Sequence, residues 1–214
     1  MKNAVRSRRS HAAALCCLLL ALAAAVWAAA AGRGPDIGAD CVGFGNSFAR
    51  LTSGYVEVSG PDGGYEAPLA GAGRVITPCG ETAAAWAPGG ELLLLGGAGY
   101  RRAELPGRLL GVFGGECGMC AAVCEGADGR FTAAAYTERG AAFTAVSDGA
   151  AIVAAALSPD GRGLALLCAG EHWFIRRWDM LAGESADEPL EGPALSLKWD
   201  ENGLRTVYAE AAER

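Results

Sequence analysis

The chain has 214 residues, among them 32 Gly, 9 Pro and 8 Cys, with 51% hydrophobic and 20% charged residues and a formal net charge of −6. Glycine at about twice its usual share, together with few aromatic residues, argues against a helical bundle, and so low a share of charged residues excludes a disordered chain. All 24 acidic residues follow Ala31 while four of the 18 basic ones precede it, which leaves the rest of the chain at −10 and opposes binding to nucleic acid or anionic lipid.

In chain order, residues 1–11 form a basic start carrying Lys2, Arg6, Arg8 and Arg9. Residues 12–31, AAALCCLLLALAAAVWAAAA, hold no charge. As a helix they would measure about 30 Å, the thickness of a bilayer's hydrocarbon core. The basic flank places residues 1–11 in the cytoplasm and sends the chain beyond Ala31 across the membrane. The segment reads either as a retained single-pass anchor or as a signal peptide cut at one of the Ala-x-Ala sites between Ala28 and Ala31. In the first case the protein is membrane-anchored with an extracytoplasmic C-terminal domain; in the second it is secreted. Residues 32–40 read as a linker and 41–214 as the folded domain.

Within that domain, four stretches superimpose: ETAAAWAPGGELLLLGG (81–97), CAAVCEGADGRFTAAAY (120–136), VAAALSPDGRGLALLCAG (153–170) and ALSLKWDENGLRTVYAEA (194–211). Each is a short run of small or β-favouring residues, a glycine turn and an alternating run, the pattern of a β-hairpin. The turn glycines are Gly90, Gly129, Gly161 and Gly203, with a weaker hairpin at Gly54. A spacing near forty residues predicts a β-propeller-like, all-β domain in which each blade is a small antiparallel sheet of about four strands. At that length residues 41–214 make four to five degenerate blades, with an incomplete propeller among the options. Closure is expected to join the Gly54 hairpin to the last blade around Gly203. Leu164, Leu166 and Cys168 should face one side of a strand, and Ala165 and Leu167 the other. With both faces apolar, that strand must lie between neighbouring blades.

The best-formed repeat is 152–184, IVAAALSPDGRGLALLCAGEHWFIRRWDMLAGE. Ser158-Pro159-Asp160-Gly161, an apolar strand, and Phe174-Ile175-Arg176-Arg177-Trp178-Asp179 resemble a WD-like or Tol-type propeller repeat. Ala87-Pro88-Gly89-Gly90 and Asp200-Glu201-Asn202-Gly203 echo the turn. No copy has the Gly-His dipeptide of WD repeats. A basic start, one span and degenerate propeller repeats are together similar to the plan of certain bacterial membrane-anchored proteins.

The candidate chemistry is sparse. Cys41, Cys79, Cys117, Cys120, Cys124 and Cys168 follow the apolar segment, and outside the cytoplasm six cysteines favour disulfides, with 15 pairings open. Cys117-Gly-Met-Cys120 has the spacing of a metal or redox motif. The repeat, however, puts Cys120 and Cys124 on one face of a strand about 13 Å apart, with Cys117 in a loop. His172, the one histidine after His11, reads as part of a strand over 171–178 that shares a face with Phe174, Arg176 and Trp178. Asp160 and Asp200 lie in turns without the ligand spacing of a calcium loop, and the glycines of 60–64 and 96–99 serve turns, not phosphate. Trp173, Phe174, Trp178 and Trp199 fill gaps between blades or form part of an interface.

No catalytic, cofactor-binding or metal site is therefore expected, and no cofactor. The expected protein is a non-catalytic, extracytoplasmic binding module whose partners are the membrane, through its single span, and another protein, an envelope component or a second copy of itself. A propeller-scaffold hydrolase or oxidoreductase and a degenerate propeller acting only in assembly are the alternatives.

Overall fold

The computed structural model describes residues 41–61, 63–147 and 149–208, all within one compact unit. The expected span over 12–31 and the basic start lie outside the described residues. Among the described residues no helix is long and apolar enough to cross a membrane.

The described chain is all β. The first sheet holds β1 (Cys41–Phe44), β2 (Ser47–Leu51), β3 (Tyr55–Gly60) and β4 (Gly63–Pro68). The second holds β5 (Val75–Cys79), β6 (Thr82–Trp86), β7 (Leu92–Gly96) and β8 (Gly99–Arg102). The third holds β9 (Arg108–Gly114), β10 (Cys120–Glu125), β11 (Phe131–Thr137) and β12 (Gly140–Val146), and the fourth β13 (Ala151–Leu157), β14 (Gly163–Ala169), β15 (Trp173–Asp179) and β16 (Glu184–Pro189). Each is an antiparallel meander of four strands, here called blades 1 to 4, and they are followed by the hairpin β17 (Ala194–Asp200) and β18 (Gly203–Tyr208). The leading strands β1, β5, β9, β13 and β17 lie side by side in that order, so the sheets stack face to face as in a propeller.

Stacking follows from strands that are apolar on both faces. In β7 (Leu92–Gly96), Leu93 and Leu95 pack with Val56, Val58 and Ala67 of blade 1, while Leu92 and Leu94 pack with Leu109, Cys120 and Ala134 of blade 3. Leu164, Leu166 and Cys168 face blade 3, and Ala165 and Leu167 face the last hairpin, as the alternation requires. The alanines of β10 meet these leucines from the neighbouring blade, Ala122 against Leu92 and Leu94 and Ala121 against Leu164 and Leu166, so that small meets large and the sheets approach closely. Blade 1 turns a polar face outward: Arg50 pairs with Glu57 at 2.5 Å, and Glu66 continues the same cross-strand row.

Backbone bonds lace neighbouring blades. Gly45 N–H donates to Gly80 O (3.2 Å) and Gly89 N–H to Leu109 O (2.7 Å). Tyr65 and Tyr136 reach across with their hydroxyls, to Gly96 O (2.8 Å) and Glu104 O (2.7 Å).

Two expectations require correction. The Gly54 hairpin joins β2 to β3 inside blade 1, and among the described residues β18 pairs with β17 alone, so these two hairpins do not close on one another. The five turn glycines are also not equivalent. Gly54, Gly90 and Gly129 lie between the second and third strands of their blades, whereas Gly161 and Gly203 lie between the first and second. A four-stranded meander contains three similar hairpins, and the sequence superposition slid by one of them between blades 3 and 4. In the turn around Gly90 the left-handed residue is Gly89, at φ +69°.

Candidate functional site

The best-formed repeat supplies one wall of a groove. Its turn, Ser158 to Arg162, joins β13 to β14 with Gly161 in the left-handed region at φ +70°. Ser158 is buried, and its Oγ accepts the N–H groups of Gly163 (2.7 Å) and Arg162 (3.2 Å). That hydroxyl donates to Asp160 Oδ1 at 2.5 Å, and the same oxygen accepts Arg162 N–H at 3.1 Å. The Ser158 hydroxyl first, then the Arg162 amide, hold the Asp160 carboxyl below its ordinary range. The end of β15 behaves in the same way: Asp179 Oδ1 accepts Leu181 N–H (2.9 Å) and Ala182 N–H (3.0 Å), and these amides hold Asp179 low as well. In the last hairpin Asp200 Oδ1 accepts Asn202 N–H at 2.8 Å and its other oxygen meets Arg205 at 3.2 Å.

These three turns converge with Arg162, Arg177, Trp178, Trp199 and Glu201 around a groove of about 550 Å³. Trp199 lies over Gly163, where a Cβ would come within 2.7 Å of the indole, so glycine is required for the ring to settle there. Trp178 packs against Phe143 with ring centroids 5.5 Å apart, and its indole Nε1 is buried with no hydrogen-bond acceptor among the described residues. Arg177 pairs with Glu188 at 2.5 Å. Every aspartate on the rim is committed as an acceptor to backbone or side-chain donors. The groove therefore presents fixed charge and indole surface, and Asp160 and Asp179, held low, lack the raised pKa that proton transfer near neutrality asks for.

His172 does not belong here. It lies exposed in the turn before Trp173, because β15 begins two residues later than the sequence pattern suggested; Phe174, Arg176 and Trp178 do share a face. Trp173 and Trp199 pack between blade 4 and the hairpin, and Phe174 and Trp178 between blades 3 and 4. The glycines of 60–64 and 96–99 serve the β3–β4 and β7–β8 hairpins.

The cysteines divide into groups that the chain order does not display. Cys120 and Cys124 share one face of β10, and Cys117 lies in the loop before it. Cys79, from blade 2, joins Cys120 in the same buried cluster, a partnership with no signal in the spacing of either residue. Cys168 is buried between blades 3 and 4, and burial pushes its thiol up to about 11. No group of three or more His, Cys, Asp or Glu among the described residues could hold a metal ion.

No protein-family model matches the chain, and no curated protein matches its sequence. Solved structures do resemble it. A Kluyveromyces lactis Hsv2 whose loop 6CD is replaced by a Gly-Ser linker superimposes with a TM-score of 0.51 at 12% identity, covering 74% of this chain and 56% of that one. Kuenenia stuttgartiensis hydrazine synthase gives 0.51 at 13% identity, covering 75% of this chain and 58% of that one. These neighbours are β-propeller proteins and establish a propeller-like fold here. The chain spans less than two thirds of their length.

Proposed function

We propose that this protein is a non-catalytic binding module: an exported propeller-like domain, held at the membrane by residues 12–31, that recognises a protein segment in the groove between blade 4 and the β17–β18 hairpin. The observation that carries the reading is the convergence of Trp178, Trp199, Arg162 and Arg177 with three hydrogen-bonded aspartates on one groove. Half-buried indole surface flanked by arginine is the composition that concentrates binding energy at protein interfaces. Asp160 and Asp179 support binding over chemistry, since a carboxylate held ionised by fixed donors orients a partner's cations and does not shuttle protons. The acidic balance of the exported part favours a partner that offers Lys or Arg to Asp160, Asp179 and Asp200.

The test is site-specific photo-crosslinking in intact cells, with a benzoylphenylalanine placed at Glu201 on the groove or, as a control, at Glu66 on the outward face of blade 1. A discrete protein adduct from position 201 and none from 66 is expected. No adduct from 201, or the same adducts from both positions, overturns the assignment.

A further inference from the structure

The β17–β18 hairpin leaves the outer half of blade 4 uncovered. Blades 1 to 3 are each followed by a four-stranded sheet, whereas the sheet that follows blade 4 stops, among the described residues, at its second strand. The effect shows in β16, whose six residues are all exposed, while the corresponding strands of blades 1 and 3 bury Ala67 and Ala145. Cross-strand partners share a face. Ile175 packs against the hairpin, so Glu188 opposite it, Ala186 opposite Arg177 and Glu184 opposite Asp179 look to the same side. Arg177 is matched by Glu188, which leaves Glu184 and Asp179 to make this floor acidic. The floor continues the groove, since Arg177 and Asp179 line both.

Beside the floor stands β18. Its Leu204 and Thr206 lie opposite Trp199 and Leu197 and face blade 4, and its far edge carries N–H and C=O groups that no strand among the described residues pairs. The outer edges of the four blades all carry features that resist pairing: β4 and β16 end in proline, β8 holds Arg101 and Arg102, and β12 is bulged at Ala142. In β18, GLRTVY, there is no proline and one charge, the bulge of the hairpin falls at Leu195 in β17, and Thr206, Val207 and Tyr208 favour a strand.

We propose that β18 takes an extended segment of a partner protein as a third strand, with lysine or arginine at the alternate positions that face Glu184 and Glu188. This rests on the reading that the groove binds a protein segment, and it states how the segment lies. Main-chain bonds along β18 supply affinity, and alternate side chains over the acidic floor supply specificity. Neighbouring strands lie about 4.8 Å apart and stacked sheets about 10 Å, so a strand beside β18 stands over β15 and β16, in the place that a four-stranded neighbour fills elsewhere. Two other occupants fit worse. The chain's own segments 32–40, GRGPDIGAD, and 209–214, AEAAER, each carry two acids against one arginine and set acid over acid. A second copy pairing β18 with β18 about a twofold axis sets both copies of blade 4 on the same side of the shared sheet, where they collide.

The probe is a capped peptide of the six-residue length of β18, alternating lysine and valine, added to the full-length chain in detergent, with hydrogen–deuterium exchange read by mass spectrometry. The amides of 203–208 should exchange about tenfold more slowly at a peptide concentration about tenfold above its Kd. A peptide of the same sequence with every amide N-methylated, and one with glutamate in place of lysine, should leave them unchanged. No slowing by the lysine peptide, equal slowing by either control, or slow exchange at all amides of 203–208 before any peptide is added overturns the inference. A photo-crosslinked adduct from position 201 in cells, with no protection of β18 by the lysine peptide, keeps the groove reading and overturns strand addition alone.

Discussion

Gly114→Ala is the sharpest probe of blade stacking. Gly114 ends β9 and faces blade 2, and a Cβ there would fall on the Pro78 carbonyl oxygen, inside any permitted separation, with the Thr77 Cγ2 at 3.0 Å and the Pro78 carbonyl carbon at 3.2 Å. Carbon pairs rest near 3.5–4.0 Å, so blades 2 and 3 must part by roughly 0.5–1 Å. The obstacle is backbone in a paired strand, so it cannot swing away as a side chain would. Overpacking of this kind costs about 1–3 kcal/mol. For a domain of this size, about 2–4 °C of Tm is lost per kcal/mol, which gives a fall of about 2–12 °C by calorimetry. Gly54→Ala is the control: nothing lies within 4 Å of its Cβ and its φ is not positive, so it should stay within about 0.5 kcal/mol of wild type. A Gly114→Ala protein as stable as Gly54→Ala would refute the contact between blades 2 and 3.

Leu166→Ala removes a fully buried side chain facing the alanines of blade 3, which cannot reach in to fill the space; the loss should be about 2–5 kcal/mol in urea unfolding, against at most about 1 kcal/mol for Arg50→Ala at the exposed ion pair. Burial raises Tyr65 and Tyr136 to about 12 in the folded state. Unfolded tyrosine titrates near 10, so between these values the unfolded chain holds fewer protons. Stability should therefore be complete below about pH 10 and fall as pH rises towards 12, while Tyr136→Phe, read by the same alkaline unfolding, should flatten that fall. Absorbance titration showing both phenols ionising near 10 in the folded protein would contradict their burial.

Some of this structure was legible from pattern alone. The two-sided strand at Leu164–Cys168 required neighbours on both faces, and it has them, because alternation is a property of one strand and survives without knowledge of its partners. The phase of the repeat did not survive. Gly129 and Gly161 punctuate different hairpins, and hairpins within one meander share the same turn chemistry. Alternation set Cys120 and Cys124 on one face of a strand, as they are, whereas Cys79 joins their cluster from another blade, through stacking that no local spacing encodes. The groove was half visible. Its Ser158–Asp160 turn and Trp178–Asp179 strand end stood out as repeat features, whereas Trp199 reaches it only because the next hairpin packs over Gly163.

The reading of an exported binding module is tested most directly at Leu181, which is 76% exposed in the turn after β15. Leu181→Cys, expressed in intact cells or, where there is an outer membrane, in spheroplasts, is treated with a membrane-impermeant maleimide and compared with wild type to subtract native thiols. Export gives labelling at position 181 before lysis. Labelling only after the membrane is broken places the domain in the cytoplasm and contradicts the proposed function at its root.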